Sequence, residues 1–135
     1  MNPFRYKNGV LHADGVSLAE LATEIGTPFY CYSESAISAQ YRAYVDAFAD
    51  QDAVICYAMK ANDNLAILRT FAELCAGADV VSGGELQRAL AAGIPPSKII
   101  FSGVGKTEDE LALALSTRIM PVSYTHLRAH ETEYD

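Results

Sequence analysis

Lys60 follows directly on an apolar run in "AVICYAMKAND" (53–63), so a positive charge leaves the end of what reads as a buried strand. In parallel α/β folds the carboxyl end of a strand is where sites are built. A lysine there is either a solvent-facing loop residue or an amine that forms a Schiff base. The second role needs an accessible neutral amine on a rigid stem, and nearby low-dielectric packing can supply one. The residues around Lys60 fit both readings.

Other residues offer less. "SGVGKT" (102–107) ends like a phosphate-binding loop. The G-x-x-x-x-G-K-[ST] pattern needs a first glycine where Ile100 stands, and G-x-G-x-x-G fails at Glu108. The stretch reads as a strand-to-helix turn capped by Thr107. Cys31, Cys56 and Cys75 are widely spaced with no C-x-x-C pair, so neither a zinc site nor a redox dithiol is expected. Reduced cysteines in a cytosolic protein are the simpler reading. His126 and His130 sit four apart without the H-E-x-x-H context, and no metal is expected.

The elements that must position these residues follow from periodicity. Asn8-Gly9 predicts a turn between two short strands over roughly 4–12. Ser17 and Glu20 have capping-box spacing ahead of Leu18, Leu21, Ala22 and Ile25 on one helical face, closed by Gly26 and Pro28. "FYCY" (29–32) reads as a strand. A helix from Ser33 to Asp50 puts Ile37, Tyr41, Val45 and Phe48 on one side. A repeating pattern then begins. Strands are expected at 53–58, 78–82 and 98–102, and helices at 64–75 (closed by Gly77), 84–92 (closed by Gly93) and 107–116. Pro95-Pro96 mark a turn, Thr107 and Glu110 have capping-box spacing, and 118–120 could open a further strand. Strands joined by single helices imply right-handed βαβ units and a parallel sheet. Both a (β/α)8 barrel and an open doubly wound sheet begin this way. A barrel needs about 250 residues, so on that reading the 135 residues are incomplete.

Half of the chain is hydrophobic, enough for a core in one small domain. The formal charge is −7 with no Lys/Arg run, which argues against nucleic acid or an anionic membrane as partner. No apolar run reaches the length of a membrane span, and "MNPFRYKNGV" lacks the apolar segment of a secretory signal. A soluble cytoplasmic protein is expected.

Residues 121–135 carry no helical or strand period. "PVSYTHLRAHET" resembles the conceptual translation of a transposon-end adapter used in shotgun sequencing. We therefore expect 1–120 to be the native portion and 121–135 a non-native tail.

The stretches "YAMKAN" (57–62), "GADVVSGGEL" (77–86) and "FSGVGKT" (101–107) resemble the diaminopimelate decarboxylases. These are pyridoxal-phosphate enzymes of the alanine-racemase-like barrel class, fold type III. The likeness covers about 4–120, with Met59 where the family usually has valine, a volume-tolerant exchange. The resemblance implies an α/β fold, the N-terminal part of an incomplete (β/α)8 TIM-type barrel. It implies that Lys60 binds the aldehyde of pyridoxal 5'-phosphate. Asp79 and Glu85 match acidic positions near that lysine. As local structure, Asp79 is a strand-end carboxylate, and Ser82 with Glu85 has capping-box spacing. The implied reaction converts meso-diaminopimelate to L-lysine and CO2 in a homodimer. The phosphate loop, the acidic partner of the ring nitrogen and a β domain come from later in the family's chain. The partner subunit supplies a cysteine. Rival readings are an ornithine/arginine-type or carboxynorspermidine decarboxylase, a non-catalytic pyridoxal-phosphate carrier, and a P-loop nucleotide binder, which Ile100 disfavours.

Overall fold

The structure, a computed structural model, describes residues 2–120. The chain divides into two compact units after Asp50. His126, His130 and the adapter-like stretch lie outside the described residues.

The first unit opens with an antiparallel sheet of β1 (Phe4–Lys7), β2 (Val10–Ala13) and β3 (Val16–Ser17). Asn8 and Gly9 both take positive φ, 53° and 80°, the geometry that a two-residue hairpin turn requires. Asp14-Gly15 repeats it with 50° and 88°, a second hairpin that its D-G pair signals. Helix α1 (Leu18–Ile25) starts at Ser17, whose side chain accepts from the Glu20 amide, and ends at Gly26 with φ 83°. Helix α2 (Glu34–Ala47) is capped by Ser33. Asp14 ties the hairpin to that cap. It accepts from the Ser33 hydroxyl at 2.8 Å, the Ser35 amide at 3.2 Å and the Ser35 hydroxyl. These bonds, the Ser35 hydroxyl first, hold its carboxyl below the usual range.

"FYCY" (29–32) is not a strand. β-rich composition makes a strand only where a ladder partner exists, and Tyr30 and Tyr32 stay 91% and 57% exposed. Within α2, Tyr41 is buried while Val45 remains exposed, as does Phe48 at the C-cap.

The second unit carries β4 (Cys56–Ala58), α3 (Leu65–Glu73), β5 (Gly77–Val80), α4 (Gly83–Ala91), β6 (Ile99–Phe101) and α5 (Glu108–Ser116). The strands are parallel in the order β4-β5-β6. Successive strand residues face opposite sides. Ala78, Val80, Ile99 and Phe101 point to one side and are fully buried with Leu68 of α3, Leu86 of α4 and Ala114 of α5. All three helices therefore cover the same face. Ala58, Asp79 and Ile100, aligned across the ladder, form the other face and are half-buried. A doubly wound sheet places helices on both faces, whereas a barrel places them all outside.

Three local expectations change. The 53–58 strand shrinks to Cys56–Ala58, because only those residues join the ladder, and Val54 is 46% exposed. α3 is closed by Cys75 in the left-handed region, φ 61°, rather than by Gly77. Gly77 instead opens β5, where a Cβ would lie 2.5 Å from the Lys98 carbonyl oxygen and 2.6 Å from Cys56 Sγ. Residues 118–120 form no strand, although the Met120 amide donates to the Ile99 carbonyl at 2.9 Å.

Candidate functional site

The carboxyl ends of β4, β5 and β6 carry the residues that matter. Beyond Ala58 the chain enters a 3-10 turn, Met59–Ala61. Met59 is fully buried and Lys60 is exposed. A burial anchor next to an exposed amine gives the rigid stem and open end that Schiff-base chemistry needs. The far side of the turn is pinned as well. The Tyr57 ring stacks on Phe71 at 4.0 Å, and its hydroxyl donates to the Asn62 carbonyl at 3.1 Å. Asn62 Oδ1 accepts from the Asn64 amide at 2.9 Å, and Asn64 in turn caps α3 through the Ala66 amide. Arg88 meets Asp63 at 3.1 Å, but at 53% and 48% exposure this ion pair contributes little.

Asp79 is the third residue of β5, in register with Ala58 and Ile100. The Lys60 turn lies against β5. The Ser102 hydroxyl, just past β6, donates to Asp79 Oδ1. Deeper in the sheet, burial and then the Asp79 charge push the Cys56 thiol up, so it stays protonated.

Glu85 sits at the third position of α4, and its carboxylate accepts from the Val81 amide at 2.8 Å. Its own amide donates to Ser82 Oγ at 3.2 Å. The structure thus sets Asp79 beside the lysine turn and engages Glu85 within the loop after β5. The loop after β6 is locked too. Lys106 Nζ donates to the Gly103 carbonyl at 2.7 Å and lies 5.3 Å over the Phe101 ring. Thr107 and Glu110 form a complete capping box. Glu110 also accepts from the Gly83 amide at 2.8 Å, joining the starts of α4 and α5. Hydrogen bonds from the Thr107 amide and then the Gly83 amide hold its carboxyl below the usual range. Among the described residues, no cluster of His, Cys, Asp or Glu could hold a metal.

Sequence reasoning did not single out Tyr57 or Ser102. Each lies inside a motif, but its partner is set by the fold. Tyr57 closes on Asn62 only because a turn intervenes. Ser102 meets Asp79 only because β6 lies beside β5.

Comparison with known proteins gives this geometry a family. The pyridoxal binding domain of the pyridoxal-dependent decarboxylases matches residues 34–129. Diaminopimelate decarboxylase of Pseudomonas aeruginosa is 50% identical over 119 residues, which are 88% of this chain and 29% of that protein. A crystal structure of an Aquifex aeolicus protein superposes with a TM-score of 0.89 at 46% identity, over 96% of this chain and 32% of that one. Diaminopimelate decarboxylase from M. jannaschii, solved with L-lysine, gives 0.87 at 39% identity, over 90% and 30%. The chain thus spans under a third of these relatives, and its α/β arrangement is a part of their barrel. With more than half of its residues matched, the chain belongs to the pyridoxal-dependent decarboxylases and holds the first part of their pyridoxal-binding domain.

Proposed function

We propose that the full-length protein carrying this sequence decarboxylates meso-2,6-diaminopimelate to L-lysine and CO2, with pyridoxal 5'-phosphate joined to Lys60. The observation that carries the reading is an exposed lysine on a doubly pinned turn, one strand away from a carboxylate. That arrangement lies within a segment 50% identical to a diaminopimelate decarboxylase. An accessible amine on a pinned turn fits an aldehyde cofactor. Lys60 would hold it, with Asp79 in the neighbouring strand and Glu85 at the start of α4 as the carboxylates on that side.

When bound, pyridoxal phosphate supplies a ring that accepts the electron pair left as CO2 departs. The chain's own residues do the positioning. Buried Met59 and the Tyr57–Asn62 bond limit the arc through which the Lys60 amine can move. The helices on the opposite face leave the Asp79 side of the sheet as the barrel interior, where water is excluded once later strands close around it.

The same reading includes a homodimer in the cytoplasm and a non-native origin for residues 121–135. The family match runs to residue 129, so sequencing the native gene beyond Met120 decides that last point. An ornithine/arginine-type decarboxylase is the alternative within the same family.

The test uses the full-length protein. Its absorbance is recorded before and after borohydride, and peptides are mapped for a reduced pyridoxyl group. A band at the visible edge and an adduct on Lys60 are expected, with CO2 release from diaminopimelate and not from ornithine or arginine. A folded protein with no band, or with the adduct on another lysine, overturns the reading.

A further inference from the structure

Asn62 ends the turn that carries Lys60, and two tethers of that turn meet on it. It follows the 3-10 turn Met59–Ala61 in extended conformation, φ −166° and ψ 116°, two positions beyond the lysine. Its carbonyl accepts from the Tyr57 hydroxyl at 3.1 Å, a tie back to the strand before the lysine. Its side-chain Oδ1 accepts from the Asn64 amide at 2.9 Å, a tie forward to the residue that caps α3. Lys60 thus stands between buried Met59 on one side and Asn62 on the other. The loop has a further tether, in which Arg88 meets the Asp63 carboxylate at 3.1 Å and the Asp63 carbonyl at 3.4 Å. Both of those side chains are half-exposed, so the pair adds little. The two bonds at Asn62 differ in what they require. Any residue at 62 supplies the carbonyl that Tyr57 uses. The bond to the amide two residues on needs a short side chain ending in an acceptor, the local turn that asparagine makes best.

We propose that Asn62 is a positioning residue for Lys60: its side-chain bond to the Asn64 amide fixes the end of the lysine turn against the start of α3, so that the amine is presented over a narrow range of directions. The inference rests on Lys60 being the cofactor lysine. Capture joins the Lys60 nitrogen to the aldehyde carbon of pyridoxal phosphate and releases the aldehyde oxygen, with both amine protons, as water. The rate of that step depends on how often the amine lies in line with the carbon, and a fixed turn has already lost the freedom that would lower it. Without the Asn64 bond, residue 62 regains that freedom and the Tyr57 hydroxyl is left with a moving acceptor.

The experiment follows capture in the full-length protein freed of cofactor, as growth of absorbance at the visible edge after pyridoxal phosphate is added. Asn62→Ala, whose extended backbone alanine adopts without strain, should slow capture about fivefold, the rate equivalent of one ordinary hydrogen bond. Asn62→Ser keeps an uncharged acceptor that makes the same turn more weakly, so its rate should fall between alanine and the parent. Before cofactor is added, hydrogen exchange over residues 59–64 should quicken in Asn62→Ala. Asn64→Ala is the structural control, since it removes the cap on the Ala66 amide and keeps the backbone donor to Asn62. It should lower the denaturation midpoint at least as much as Asn62→Ala, yet capture cofactor at the parent's rate. Equal capture by the parent and Asn62→Ala overturns the proposal. So does a serine variant as slow as alanine, or equal slowing by Asn64→Ala, which would make the effect one of general stability. Borohydride mapping of the parent runs in parallel. An adduct on Lys60 with capture unchanged in Asn62→Ala leaves the cofactor reading standing and removes only the role of Asn62. An adduct elsewhere removes both.

Discussion

Gly77 shows how little room the site's sheet leaves. Its missing Cβ is where the Lys98 carbonyl and the Cys56 sulfur already approach, and a backbone oxygen cannot rotate away. Gly77→Ala in the full-length protein should destabilise by roughly 1–3 kcal/mol, the usual cost of overpacking, as read by chemical denaturation. Tyr57 makes the opposite kind of point, since its ring and its hydroxyl do different work. Tyr57→Phe keeps the stack on Phe71 and loses the bond to Asn62. It should cost about 1 kcal/mol of stability and slow the capture of pyridoxal phosphate by Lys60, measured as the rate of absorbance growth in apoprotein. A capture rate equal to the parent's would mean that the hydroxyl does not steady the turn.

The loops after β5 and β6 are held by carboxylates rather than by packing. Glu85 engages the Val81 amide, and Glu110 engages both Thr107 and Gly83. Thr107→Ala removes half of the capping box and should cost ~1 kcal/mol, read by denaturation. Acid should act on the same loop. The folded pKa of Glu110 lies below its ordinary value of 4.5, so its contribution is fully present above that pH. It is lost as pH falls from there through the lowered folded value. Glu110→Gln should therefore flatten the stability profile below pH 4.5 and leave its slope unchanged near neutrality. A variant that loses stability in acid as steeply as the parent would place the acid sensitivity elsewhere. Asp14, whose carboxyl is lowered by Ser35 and Ser33, is the alternative source.

For the molecule as a whole, the half-covered face decides what the 135 residues can do alone. Ala58, Asp79 and Ile100 lie on the face opposite the one that α3, α4 and α5 bury, and β4 and β6 are the outer strands of the three-stranded sheet. Uncovered faces and open edges invite pairing with other chains. The 135-residue chain expressed by itself should bind a hydrophobic dye, associate on size exclusion, and release no CO2 from diaminopimelate. Measurable release would show that three strands suffice for the chemistry. The full-length protein should bind the dye far less.

Much of this was legible one residue at a time. Asn8-Gly9, Ser17, Thr107 and Gly93 announce turns and caps because their backbone requirements are local, and each stands where its type predicts. The alternation of helices and parallel strands was legible for the same reason, as was the lysine at the end of "AVICYAM". What could not be read were pairings across distance. "FYCY" has the composition of a strand but no ladder partner, and composition cannot supply one. Gly77 reads as a helix stop, yet its real constraint is a carbonyl from residue 98. The choice between barrel and doubly wound sheet also lay beyond the sequence, since both share the order of elements. It was decided by one tertiary fact: α3, α4 and α5 bury the same face of β4-β5-β6 and leave Asp79 and Ser102 together on the other. Periodicity tells a strand which of its residues to bury, but only packing chooses which side of the sheet the next helix will cover.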